Sequence, residues 1–175
     1  MAPGSVLDQL EEAIQIIRSL WADEKTEFSG DYYQVPGAVA GPKPINAKLW
    51  IGGRGPKRTP ALAAKYADGF NLPYPTPAET ADRLMRVTAA CEKLDRNPAE
   101  VDTSVNLHFR METGASSPDP NQAVIGMVSG TSAQVVDQLG QYADTGVKGI
   151  NIAFRPPIDW EAFEAYIEDV MPSFR

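Results

Sequence analysis

Leu49-Trp50-Ile51-Gly52-Gly53-Arg54-Gly55-Pro56-Lys57-Arg58-Thr59, followed closely by Leu62-Ala63-Ala64-Lys65-Tyr66-Ala67-Asp68-Gly69-Phe70-Asn71, is the stretch that decides the architecture of this chain. Lys48 to Ile51 is a short apolar run that reads as a buried strand, and the glycine turn after it opens an alanine-rich helix from Thr59 to Tyr66. Asp68 to Leu72 then reads as a second strand. Two strands joined through a helix pair in parallel, because a parallel neighbour needs a long crossover.

The turn itself is suited to an anion. Glycine accepts positive φ and lets backbone N–H groups approach a ligand with no Cβ in the way. The helix behind it presents unpaired N–H groups and the positive end of its dipole, and Arg54, Lys57 and Arg58 add full charges. Gly52, Gly53 and Gly55 do not have the spacing of a Walker A loop or of the dinucleotide G-x-G-x-x-G fingerprint. On these residues alone, a phosphate site and a plain tight turn with solvated cations stand about level.

Working outward, the same theme recurs. Pro77 to Leu94 reads as a long helix with Leu84, Val87, Ala90, Cys91 and Leu94 on its apolar side, capped by Thr76, with Pro77 first and Glu79 third. Thr103 to Met111 alternates as a third strand, Ser116 to Asn121 is a loop, and Thr131-Ser132-Ala133-Gln134 opens a helix ending near Gly146. Gly149 to Phe154 is a fourth strand leading to Arg155-Pro156-Pro157, and a last helix runs from about Asp159 to Met171. Upstream, Leu7, Leu10, Ile14, Ile17 and Trp21 fall at helical steps within Val6 to Trp21. Asp23 to Pro44, with aromatics among glycines and prolines, reads as an ordered excursion containing a small hairpin. Strands alternating with helices make this an α/β chain of parallel (β/α) units, which these residues alone leave open between a small doubly wound sheet and half of a (β/α)₈ barrel.

The 175 residues are 43% hydrophobic and 22% charged, the composition of an ordinary globular domain. A net charge of −7 argues against nucleic acid or an anionic membrane as the main partner. No apolar run reaches the ~20 residues that span a bilayer, and no leader-like segment opens the chain, so a cytoplasmic setting is expected. The single cysteine, Cys91, excludes an internal disulfide and reads as a structural thiol. His108, the one histidine, shares a strand face with Asn106 and Arg110 and reads as a hydrogen-bonded structural residue rather than an acid or base. Trp21, Trp50 and Trp160 read as packing residues. Glu11-Glu12 and Glu161, Glu164 and Glu168 fall at the spacings of solvated helix faces, so no metal site is expected.

The run Ile51 to Pro56 followed by Leu62 to Asn71 resembles the luciferase-like monooxygenase superfamily, especially its deazaflavin (coenzyme F420)-dependent oxidoreductase branch. Ile17-Arg18-Ser19-Leu20-Trp21, Phe28-Ser29-Gly30-Asp31-Tyr32-Tyr33, Pro42-Lys43-Pro44, Gly130 to Leu139 and Tyr142 to Ile150 extend the likeness over nearly the whole chain. The resemblance implies one domain, residues 1–175, forming the C-terminal half of a luciferase-like TIM barrel, strands five to eight. Strands one to four would then be missing, and an open set of parallel strands would leave apolar edges and an uncovered inner face. A truncated product, a second copy or another polypeptide would account for this, although Met1-Ala2-Pro3-Gly4 looks like a start placed before a helix.

By the same resemblance, Gly52, Gly53, Arg54, Gly55 and Pro56 contact a cofactor phosphate, with Lys57, Arg58 and Thr59 close by, and Arg155 at the end of the last strand closes the anion pocket. The cofactor is coenzyme F420 or FMN, the substrate a small organic molecule, and the family's proton-handling and substrate-contacting groups lie mainly in the missing first half of the barrel, which leaves the catalytic residues unassigned. The implied function is the C-terminal part of a flavin- or deazaflavin-dependent oxidoreductase or monooxygenase, inactive alone and completed by a homo-oligomer or by a partner. Two alternatives are a non-catalytic flavin-binding or assembly module and, more weakly, a sugar-phosphate barrel fragment.

Overall fold

The computed structural model describes residues 3–112 and 124–174. The loop expected from Ser116 to Asn121 lies outside the described residues. Residues 1–49 and 50–175 form two compact units.

In the first unit, α1 (Pro3–Ala22) precedes an antiparallel hairpin of β1 (Thr26–Ser29) and β2 (Gln34–Ala38), in which Phe28 faces Val35. Glu12 of α1 organises the hairpin turn, because its carboxylate accepts from the N–H groups of Asp31, Tyr32 and Tyr33 at 2.8, 3.0 and 3.0 Å. Glu12 is therefore not merely the solvated helix residue its spacing suggests. Lys43 Nζ donates to Leu20 O at 2.8 Å and supplies a cation to the C-terminal turn of α1.

The second unit runs β3 (Trp50–Gly52), α2 (Arg58–Tyr66), β4 (Gly69–Pro73), α3 (Pro77–Glu92), β5 (Asp102–Met111), β6 (Met127–Gly130), α4 (Ser132–Ala143), β7 (Gly149–Ala153) and α5 (Trp160–Ala165). All its pairings are parallel: β3 with β4, β4 with β5, and β5 with both β7 and β6. Four strands are those expected from the apolar runs. β6 is an addition, taking up β5 from His108 onward, beyond the segment that β4 pairs. Tyr74 N–H donates to Asn106 O and His108 N–H to Gly126 O, each at 2.8 Å, which marks the handover. Gly126 makes it possible: its φ is +71°, and a Cβ there would stand 2.5 Å from the backbone of Tyr74. The sheet does not close, and it is an open part of a barrel.

The helices cover one face of this sheet. Phe70, Leu72, Val105 and Leu107 are buried there with Leu62, Val87, Cys91 and Val135. Cys91 is a buried free thiol, and burial pushes its pKa up. The other face carries Trp50, Asn71, Ser104, Asn106 and Asn151, because strand residues alternate. It is polar rather than apolar: Asn71 Nδ2 donates to Ser104 Oγ at 2.8 Å and to Asn106 Oδ1 at 3.1 Å, and Asn151 Nδ2 donates to Asn106 Oδ1 at 3.0 Å. Trp50 and Trp160 are 42% and 63% exposed, so neither is a core residue. A Cβ on Gly69 would fall 2.3 Å from the Trp50 ring, which shows how flat the indole lies on the neighbouring strand. Leu94 is 51% exposed and falls beyond the end of α3.

Candidate functional site

β3 ends at Gly52, and the turn that follows is fixed to β4 by Gly53 N–H donating to Asn71 O at 3.1 Å. Gly53 has φ +150°, a conformation open essentially to glycine. At Gly55 a Cβ would meet Thr59 Oγ1 at 2.6 Å. Thr59, one residue into α2, is 5% exposed and packs its side chain beside Gly53 and Gly55.

The N-terminus of α2 differs from those of its neighbours. α3 and α4 carry full capping boxes, Thr76 with Glu79 and Thr131 with Gln134, and Asp159 caps α5. At α2 the N-cap residue is Lys57, which makes no side-chain cap hydrogen bond. The opening N–H groups of a helix, together with its dipole, are the kind of donors that can also be met by an anion. The Thr59 side chain takes up the space beside Gly55, so a side chain there would displace it, and Lys57 is an exposed cation at the helix start.

Arg54 is committed elsewhere in part: Nη2 stands 2.8 Å from Glu79 Oε1, and Arg83 Nε donates to Arg54 O at 3.2 Å. The backbone hydrogen bond from Thr76, then the one from Arg54, hold the Glu79 carboxyl below its ordinary pKa. These contacts tie the turn to the start of α3. Arg58 opens α2, and Pro56 is exposed at the outer edge of the turn.

Arg155 follows β7, which β4 and β5 separate from β3. Three strand spacings place it on the order of 14 Å from the turn. There Arg155 Nη2 hydrogen-bonds Tyr74 Oη at 3.1 Å, and Tyr74 stacks on His108 with ring centroids 3.9 Å apart and planes 5° from parallel. Desolvation, with Arg155 second, lowers the pKa of His108 and so favours the neutral imidazole. A cavity of about 360 Å³ adjoins this group, bordered by His108, Met111, Phe154 and Arg155. Tyr74 was not legible as a site residue. It is the first residue after β4 with φ +51°, and only the parallel register brings it onto His108. Among the described residues no three metal-ligating side chains gather, and no helix is long and apolar enough to cross a membrane.

The parallel (β/α) units form an open part of a barrel, with the glycine turn at the C-terminal end of β3. The luciferase-like monooxygenase family model matches residues 2–117, more than half of the chain, and the chain belongs to that family. It is 31% identical over 108 residues to the F420-dependent glucose-6-phosphate dehydrogenase of Nakamurella multipartita, covering 60% of this chain and 32% of that protein. It is 31% identical over 170 residues to the 5,10-methylenetetrahydromethanopterin reductase of Archaeoglobus fulgidus, covering 94% of this chain and 51% of the reductase. The chain thus spans about a third to a half of these two relatives. An F420-dependent secondary alcohol dehydrogenase in complex with an F420-acetone adduct superposes with a TM-score of 0.84, over 100% of this chain and 64% of that one, at 16% identity. That likeness carries the fold alone.

Proposed function

We propose that this chain is the C-terminal part of a deazaflavin- or flavin-dependent oxidoreductase, and that the turn from Gly52 to Thr59 receives the phosphate of its cofactor. The observation that carries the reading is the start of α2, which Lys57 does not cap with its side chain, beneath a turn in which Gly53 takes a positive φ and a Cβ on Gly55 would meet Thr59 Oγ1. Gly52, Gly53, Gly55 and Pro56 shape the cradle, Thr59 offers its hydroxyl, and Lys57 and Arg58 offer charge. Arg54 serves through its main chain while Glu79 holds its guanidinium. Arg155 is reached only by a ligand that crosses the ends of β4 and β5, where His108 and Tyr74 form a flat wall. When bound, the coenzyme supplies hydride transfer at its ring. The residues of this chain bind and orient it. Coenzyme F420 and FMN both present a phosphate, and the relatives named for F420 favour the deazaflavin.

The span of the chain, 32% and 51% of those relatives, supports a second reading in which it binds cofactor without turnover. One titration at pH 7 tests both. Coenzyme F420 and FMN are expected to bind at least about tenfold tighter than riboflavin, which carries a ring but no phosphate, a difference of about 1.4 kcal/mol. With a reductant, the chain alone is expected to show no turnover. Equal affinity for riboflavin and FMN would remove the phosphate role from the turn, and robust turnover would remove the need for further residues.

A further inference from the structure

The helical layer of the second unit carries two exposed surfaces that complement each other in charge. After β7, α5 continues in helical turns to Phe174. Glu161, Glu164 and Glu168 stand along one flank of this segment at steps of three and four residues. All three are exposed, and among the described residues none of them pairs with a cation. Trp160, Ile167 and Met171, at steps of seven and four, are exposed beside them. Phe163 supports the indole of Trp160 edge to face, with ring centroids 5.8 Å apart and planes at 86°. A supported, exposed indole rimmed by charge has the make-up of an anchor residue rather than of a solvated helix face.

The complement lies on α2 and α3. Between them runs a groove of about 580 Å³ with an apolar floor of Ala61, Ala89 and Ala90 and a rim carrying Lys65, Arg86 and Lys93. Among the described residues no carboxylate lines it, in a chain whose net charge is −7. Arg86 shares its charge with Asp82 at 2.8 and 2.9 Å, whereas the two lysines stand toward the C-terminal ends of α2 and α3, away from the glycine turn. Arg86 to Lys93 and Glu161 to Glu168 each span seven residues, about 10 Å of helix. α4 packs between α3 and the continuation of α5, so α5 cannot reach the groove of its own chain.

We propose that α5 of one copy seats in the α2–α3 groove of a second copy, with Trp160 on the alanine floor and the glutamates against Lys65, Arg86 and Lys93. The contact joins two different surfaces, so it is heterologous and propagates head to tail. Charge selects this pairing: α5 against α5 would set carboxylates against carboxylates, and groove against groove would set cations against cations. The contact is small and belongs with the weak interfaces, which bury less than about 1,200 Å². The negative net charge of each copy opposes it at long range.

The test is a charge exchange read by sedimentation over a range of concentrations. One variant carries Glu161→Lys with Glu168→Lys, the other Lys65→Glu with Lys93→Glu, and circular dichroism checks that each is folded. The parent chain is expected to gain mass with concentration. Each variant alone is expected to associate at least about tenfold more weakly, because exposed ion pairs are lost and become repulsive. Mixed one to one, the variants set lysine against glutamate again, and association is expected to return. Trp160→Ala is expected to weaken association by about tenfold with the charges unchanged. A parent that stays monomeric at every concentration would overturn the proposal. So would association that persists in both variants, which would place the contact elsewhere, as on the edges of β3 and β7. Folded variants that stay apart when mixed would show that the substitutions do not act by pairing α5 with the groove, and the assignment would fall.

Discussion

Gly53 concentrates the demands of the turn in one residue. Its φ of +150° strains any side chain placed there, and a built Cβ would stand 3.3 Å from Thr59 Cγ2, close enough that Thr59 must give way. Gly53→Val is expected to cost on the order of 1–3 kcal/mol of backbone strain and to abolish measurable preference for FMN over riboflavin. A variant that stays folded and keeps that preference would sink the assignment of the turn. His108 gives a second residue-scale readout. Its pKa lies below the ordinary value of 6.5, mainly through desolvation and then through Arg155. A group whose folded pKa is depressed stabilises the fold above its unfolded pKa. The contribution of His108 is therefore complete above about pH 6.5 and is lost as pH falls through the folded value. Being the one histidine, it gives one imidazole signal by NMR. Arg155→Gln should move its midpoint upward toward 6.5, and an unchanged or lower midpoint would remove the charge of Arg155 from the account.

Helix ends separate what was legible in the sequence from what was not. Thr76 with Glu79 and Thr131 with Gln134 form local boxes whose partners lie three residues apart, so reading along the chain finds them. The four strands that pair through crossovers were legible for a similar reason, each being a short apolar run bounded by turn residues. β6 was not: Met127–Gly130 is too short to show a period, and it exists because Gly126 can abut Tyr74. The hold of Glu12 on the β1–β2 turn spans 19 to 21 residues of sequence and left no periodic trace. The candidate turn was legible as a glycine turn that opens a helix, but the lack of a side-chain cap from Lys57 at α2 shows only against capped neighbours. Arg96 closes the other end of α2, donating to Ala64 O at 2.9 Å and Ala67 O at 2.8 Å. Arg96→Met keeps the aliphatic stem and removes these charge-assisted bonds, leaving carbonyls at the helix end without their donor. A loss of about 2 kcal/mol and a fall in Tm of about 5 °C are expected. An unchanged Tm would mean that water replaces the guanidinium at no cost.

At the scale of the molecule, the parallel sheet has two edges among the described strands. β3, which pairs only with β4, and beyond it β6 lie on one side, and β7, which pairs only with β5, lies on the other. A parallel edge exposes a row of N–H and C=O groups that a closed barrel would pair. The face between these edges is not a dry barrel core. The amides of Asn71, Asn106 and Asn151 satisfy one another across three strands, which lowers the cost of leaving that face wet. The two features act differently on assembly: the polar face permits the open chain to persist, while the edges favour added strands. Native-state amide exchange is therefore expected to be slowest in β4 and β5 and fast along the outer edges of β3 and β7 in dilute protein. Raising the concentration should slow exchange at those edges as the sedimenting mass rises above the 19.0 kDa monomer. A concentration-independent monomer with edge amides as slow as those of β5 would show that the edges are already satisfied, and the expectation of a second copy or a partner closing the sheet would fall.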